Sequence, residues 1–180
     1  MEFAKLQLAD GDFNLALASL DSAELYLENN EQADLQLARN LRVLRARTLR
    51  RTGDLESARQ LIDALLEEVG FPDAGETPGM ISALTEAADI YRLSRDFDRA
   101  EMLADGLIKR LSEHERPEEA SSVHMGRALV QRGEIRLESG QADKAYSDLK
   151  AGLAHLDDAL GKDHAETQAV GRLLEQMTIP

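Results

Sequence analysis

The chain has 180 residues and a formal net charge of −13, with 43% apolar and 31% charged residues. It can bury a core, but so acidic a chain is a poor generic nucleic-acid binder, because phosphate contacts need surplus Lys and Arg. It has no cysteine, which excludes disulfide scaffolds and thiolate metal sites, and no window holds 18 apolar residues, so no span crosses a membrane.

Ala, Leu, Glu, Arg and Asp dominate, a helix-forming vocabulary, and no run alternates like a strand. The opening stretch "MEFAKLQLADGDF" has acids early and no apolar h-region, so it does not read as a secretory signal. It reads instead as a helix, a turn at Gly11 and the start of a second helix. The same plan returns three times. "ADGDFNLALASL" from Ala9 is followed by "RTGDLESARQLI" from Arg51, "LSRDFDRAEMLA" from Leu93 and "ESGQADKAYSDL" from Glu138.

Aligned on the turn, Gly11, Gly53, Arg95 and Gly140 form one column, at steps of 42, 42 and 45 residues. Five positions later stand Ala16, Ala58, Ala100 and Ala145. Seven positions before the turn stand Ala4, Ala46, Ala88 and Gly133, and four beyond the first alanine column stand Leu20, Ile62, Ala104 and Leu149. Two helices joined by a tight turn approach closely only where a side chain is small, and Ala gives that clearance without the helix cost of Gly. A glycine after the first helix suits a left-handed C-cap, and Asp12, Asp54 and Asp96 are placed to N-cap the second.

In chain order the expected units are 1–30, 31–71, 77–115 and 117–160, within one domain covering 1–180. Pro72, Pro78 and Pro117 fall in "GFPDAGETPGM" and "HERPEE", between units, where an array should break. A last helix over 163–177 places Glu175 in the small-residue column, which suits a solvating cap with no helix following it.

The pattern resembles the tetratricopeptide repeat (TPR), carried by "RARTLRRTGDLESARQLIDAL" and "ALTEAADIYRLSRDFDRAEML". The 42-residue step exceeds the roughly 34 usual for that family. It is similar to the long variant of kinesin light chains and bacterial signalling arrays, as is "LGKDHAETQAV", with Ala165 where that variant has proline. The resemblance implies an all-α, right-handed superhelix of about four helix pairs plus a capping helix. It also implies a concave surface lined by the first helix of each pair. The first helix lacks its usual opening turns, which fits a chain excised from a longer protein.

Charge is distributed unevenly along this plan. "ARNLRVLRARTLRR" holds Arg39, Arg42, Arg45, Arg47, Arg50 and Arg51, giving residues 31–51 a charge of +4 against −17 elsewhere. Asn40, Arg47 and Arg51 share a helix face, and Lys5 occupies the register position of Arg47 one unit earlier. Arginines in a groove offer forked donors to carboxylates or phosphates; the alternative is that they pair with acids such as Glu24, Asp54, Glu56 and Glu86. Later units place Glu86, Asp89, Glu134 and Glu138 at groove positions. The expected peptide-binding residues are therefore Lys5, Asn40, Arg47, Arg51, Asp89 and Glu134. Val43 and Leu44 stand where the family's carboxylate-clamping variant has polar groups, so that variant's ligand is not carried over.

No catalytic, metal or cofactor site is expected. The four histidines lack metal-ligand spacing, no serine sits in a G-x-S-x-G elbow, and the glycine-rich "GFPDAGETPG" has no lysine to make a phosphate loop. Tyr26, Tyr91 and Tyr146 read as packing residues with a hydrogen-bonding tip. The sequence reading is a cytoplasmic, non-catalytic scaffold for a protein or peptide, its partner carrying an acidic segment. A regulatory segment of a larger bacterial signalling protein is the alternative, and self-association through the uncapped N-terminal helix is a third reading.

Overall fold

The computed structural model describes residues 2–30, 34–72, 79–114 and 122–178. Among these, every regular element is an α-helix: α1 (Glu2–Asp10), α2 (Phe13–Glu28), α3 (Leu35–Thr52), α4 (Leu55–Glu68), α5 (Met80–Leu93), α6 (Phe97–His114), α7 (Ser122–Glu138), α8 (Ala142–Leu160) and α9 (Ala165–Thr178). The expected breakers Pro78 and Pro117 lie outside the described residues, and Pro72 lies in the turn after α4.

The turn column behaves as the repeat demands. Gly11, Gly53 and Gly140 have φ of +83°, +88° and +84°, and Arg95, in the same column without glycine, has φ of +60°. At the glycine turns the amide of the next residue reaches back into the preceding helix: Asp12 N to Gln7 O at 2.8 Å, Asp54 N to Leu49 O at 3.0 Å and Gln141 N to Arg136 O at 2.8 Å. The glycine amides bond Leu8 O, Arg50 O and Leu137 O, completing the Schellman pattern that satisfies otherwise orphaned carbonyls. Asp54 and Asp96 cap the following helices by accepting from Ser57 N at 3.1 Å and Arg99 N at 3.3 Å. Asp12 departs from expectation: its side chain makes no capping hydrogen bond, and α2 starts from the backbone turn alone.

The small-residue columns are internal. Ala16, Ala46, Ala58, Ala88, Ala100 and Ala145 are 0% exposed, and Ala4 is 2% exposed. At Gly133 a β-carbon would stand 2.7 Å from Leu149 Cγ, so only glycine allows α7 and α8 this separation. Helical spacing builds each buried face: Ala58, Ile62, Leu65, Leu66 and Val69 in and after α4, and Ala100, Leu103, Ala104, Leu107 and Leu111 in α6.

The chain divides into two compact units, residues 1–94 and 95–180. In the first, Ala4, Leu8, Ala16, Leu20, Leu41 and Leu44 make one cluster across α1, α2 and α3. In the second, Leu149, Leu156 and Val170 anchor α9 on α8, with Leu153, Leu173, Leu174 and Met177 packed around them. Tyr91 is buried with its hydroxyl donating to Asp63 at 2.6 Å. Tyr26 and Tyr146 were expected to pack likewise but are 67% and 37% exposed, because their register positions face outward.

Both units share one connection. Asp21, Asp63 and Asp105 stand ten residues after the turn column, on α2, α4 and α6. Each is met by a donor from the next helix: Arg45 on Asp21, Tyr91 on Asp63, and Arg132 on Asp105 at 2.7 Å. The fourth member of the column is Lys150.

Candidate functional site

On the first helices of the first unit, side chains three and four positions apart open a hollow of about 310 Å³. It is lined by Lys5 of α1, Asn40, Val43, Leu44 and Arg47 of α3, and Ser82 of α5. Val43 and Leu44, each 5% exposed, supply apolar wall, while the other four carry polar groups. Lys5 and Arg47 share one register column; Asn40 and Ser82 share another, thirteen residues before the turn. Thus three of the six expected contact residues meet in one cavity. Ser82 was not singled out, although its column with Asn40 could have found it.

The arginine cluster is largely neutralised by carboxylates from neighbouring helices. Arg39 and Arg42 both hold Glu68 of α4. Burial alone would raise the Glu68 pKa, but the hydrogen bonds from Arg39 and Arg42 outweigh it and hold the carboxyl below its ordinary value. Arg45 holds Asp21 and Glu24 of α2, and these bonds overcome desolvation to keep its pKa raised. Arg47 Nε donates to Glu86 Oε2 at 2.8 Å, and Arg50 Nε donates to the other oxygen. Of the acids named from sequence as partners, Glu24 and Glu86 pair with the cluster, whereas Asp54 caps α4 and Glu56 pairs with Arg59.

The other expected contacts separate from the hollow. Arg51 lies on the same helix face one turn on, beside a second, open depression, with its guanidinium 5.9 Å from the centre of the Phe13 ring. It makes no ion pair among the described residues. Asp89 is engaged by Arg50 at 3.7 Å and Arg92 at 3.6 Å. Glu134 is half-buried on α7, in the second unit. Glu86, read as groove-facing, is only 1% exposed: α5 turns it inward, where Arg47 and Arg50 reach it.

Lys5 pairs with Glu2 at 2.8 Å, and that bond holds the Glu2 carboxyl below its ordinary value. In the second unit Asp148, 5% exposed, is gripped by Arg132 and Arg136, and Arg136 also donates to Glu101 at 2.8 Å. The sequence reading did not identify this cluster, since its members come from three helices. Among the described residues no group of His, Asp and Glu could hold a metal ion, and no helix is long and apolar enough to cross a membrane.

Solved structures share this fold. The crystal structure of BtubC (BKLC) from P. vanneervenii superposes with a TM-score of 0.80 at 18% identity, over 97% of this chain and 68% of that one. A protein of Podosopora anserina, assigned as a kinesin light chain with nearly identical TPR-like repeats, superposes with a TM-score of 0.76 at 16% identity, over 98% and 82%. The fold is TPR-like. No family model matches the TPR-like chain, and no curated protein matches it in sequence.

Proposed function

We propose that this TPR-like chain is a non-catalytic scaffold whose first-unit hollow seats a protein or peptide segment carrying an acidic group beside an apolar side chain. The supporting observation is the convergence of Lys5, Asn40 and Arg47 on one cavity walled by Val43 and Leu44. The cations attract and orient the acid, and the valine and leucine take the apolar neighbour. Arg51 extends the basic face. A rigid helical frame leaves most of the ordering cost with the ligand. The absence of cysteine fits a reducing cytoplasm.

An array of capped peptides pairing acidic with apolar residues, read by fluorescence polarisation, tests this reading. Peptides captured by the wild type should bind at least about ten-fold more weakly to Lys5→Gln and Arg47→Gln, a loss of about 1.4 kcal/mol each. Equal affinity of both variants would reject the hollow as the seat.

A further inference from the structure

Resting on the scaffold reading above, we propose that Glu86 is a positioning residue: a buried carboxylate that holds the Arg47 guanidinium with its outer nitrogens turned to the hollow, ready for an acidic ligand. The first observation is where Glu86 lies. Its side chain is 2% exposed, and a charge so placed is costly unless it is paired. The second is what its register position requires. Nine residues before the turn, the same column holds an exposed Glu2 in the first pair, Leu44 in the second and Gln131 in the fourth, so packing there does not demand a carboxylate. An apolar residue of similar volume commonly supports a fold as well as a buried ion pair does, which leaves specificity as the reason to keep the charge.

The third observation is how the two arginines divide the carboxylate. Arg50, 17% exposed, takes one oxygen. Arg47, 41% exposed, takes the other through Nε. Nε is the inner nitrogen of the guanidinium, so the bond leaves the outer pair, Nη1 and Nη2, as the presented edge. Those atoms make no other hydrogen bond or ion pair among the described residues, and Arg47 lines the cavity.

A ligand carboxylate would meet the outer edge of Arg47, whose planar fork suits two-point contact. Without Glu86 the long Arg47 side chain would regain its rotamer freedom, and binding would have to restrict it anew.

The test uses the full chain and a defined probe, acetyl-(Leu-Glu)3-amide, titrated while the Arg47 Nε–H resonance is followed by NMR. In the wild type that resonance should be slowed in exchange and should shift on titration. In Glu86→Gln it should broaden or move to the free-arginine position, and probe affinity should fall by about five-fold or more. Should Glu86→Gln fail to fold, Glu86→Leu, copying the residue of the second pair, supplies the same reading. A loss of affinity in Arg47→Gln with none in the Glu86 variants would overturn this proposal and leave the scaffold reading intact. Equal affinity in wild type and Arg47→Gln, or no shift of the Arg47 signal, would overturn this proposal, and equal affinity in Lys5→Gln as well would overturn the scaffold reading with it.

Discussion

At Gly133 a methyl group would meet Leu149 Cγ at 2.7 Å and the Ala145 carbonyl at 3.3 Å. Gly133→Ala should therefore destabilise the chain despite alanine's better helix propensity. We expect a net loss of about 1–2 kcal/mol in denaturant unfolding, from overpacking. Gly53 fails for another reason. Nothing lies within 4 Å of its absent β-carbon, but its φ is +88°. Gly53→Ala should cost about 1 kcal/mol through backbone strain, and Gly53→Asn less, since asparagine tolerates the left-handed region. Arg95 already carries that strain at φ +60°. Its guanidinium, 5.3 Å from the Phe97 ring centre, returns part of the cost, so Arg95→Gly should leave stability within about 0.5 kcal/mol of wild type.

Between helices, the aspartate column is the recurring fastener. Tyr91→Phe removes the donor to Asp63 from a buried position while keeping the ring. A loss of about 1–2 kcal/mol is expected, because the acceptor is charged and half-buried. The Arg127–Glu166 pair ties α9 to α7 through two bonds of 2.8 and 2.7 Å, but both side chains are largely exposed. Water discounts it, so Glu166→Gln should cost under about 1 kcal/mol and act locally, raising amide exchange in α9 more than in α4. Much at this scale was legible in advance. Turn glycines, alanine columns and capping aspartates are short-range features that recur in register, so comparing units exposes them. The partners of the arginines were not fully legible, because Arg47 and Glu86 are 39 residues apart and helix rotation decides which acids face them. The same rotation placed Lys5, Asn40 and Arg47 together and turned Glu86 inward.

For the whole molecule, carboxylates set the response to acid. The Arg127 hydrogen bond lowers the Glu166 pKa; at Glu68 and Glu101 a desolvation that would raise it is outweighed, by bonds from Arg39 and Arg42 at Glu68 and by bonds from Gln141 and then Arg136 at Glu101. A carboxyl held below its ordinary value of 4.5 in the folded chain contributes stability that is complete above that value. That stability is lost as pH falls through the lowered folded value. The melting temperature should accordingly decline on acidification below about pH 4.5, and the triple variant Glu68→Gln, Glu101→Gln, Glu166→Gln should start lower and decline less steeply. A steeper decline in the variant would contradict the assignment.

The outward face of α9 has one more implication. Where α7 presents Gly126, Val130 and Gly133 to α8, the matching positions of α9 hold Gln168, Arg172 and Glu175, all exposed. Exchanging those three side chains for the glycine, valine and glycine of α7 would turn a water-loving surface into a landing platform for another rod. A protein engineer wishing to lengthen this array, or to join two arrays end to end, would begin at these three codons.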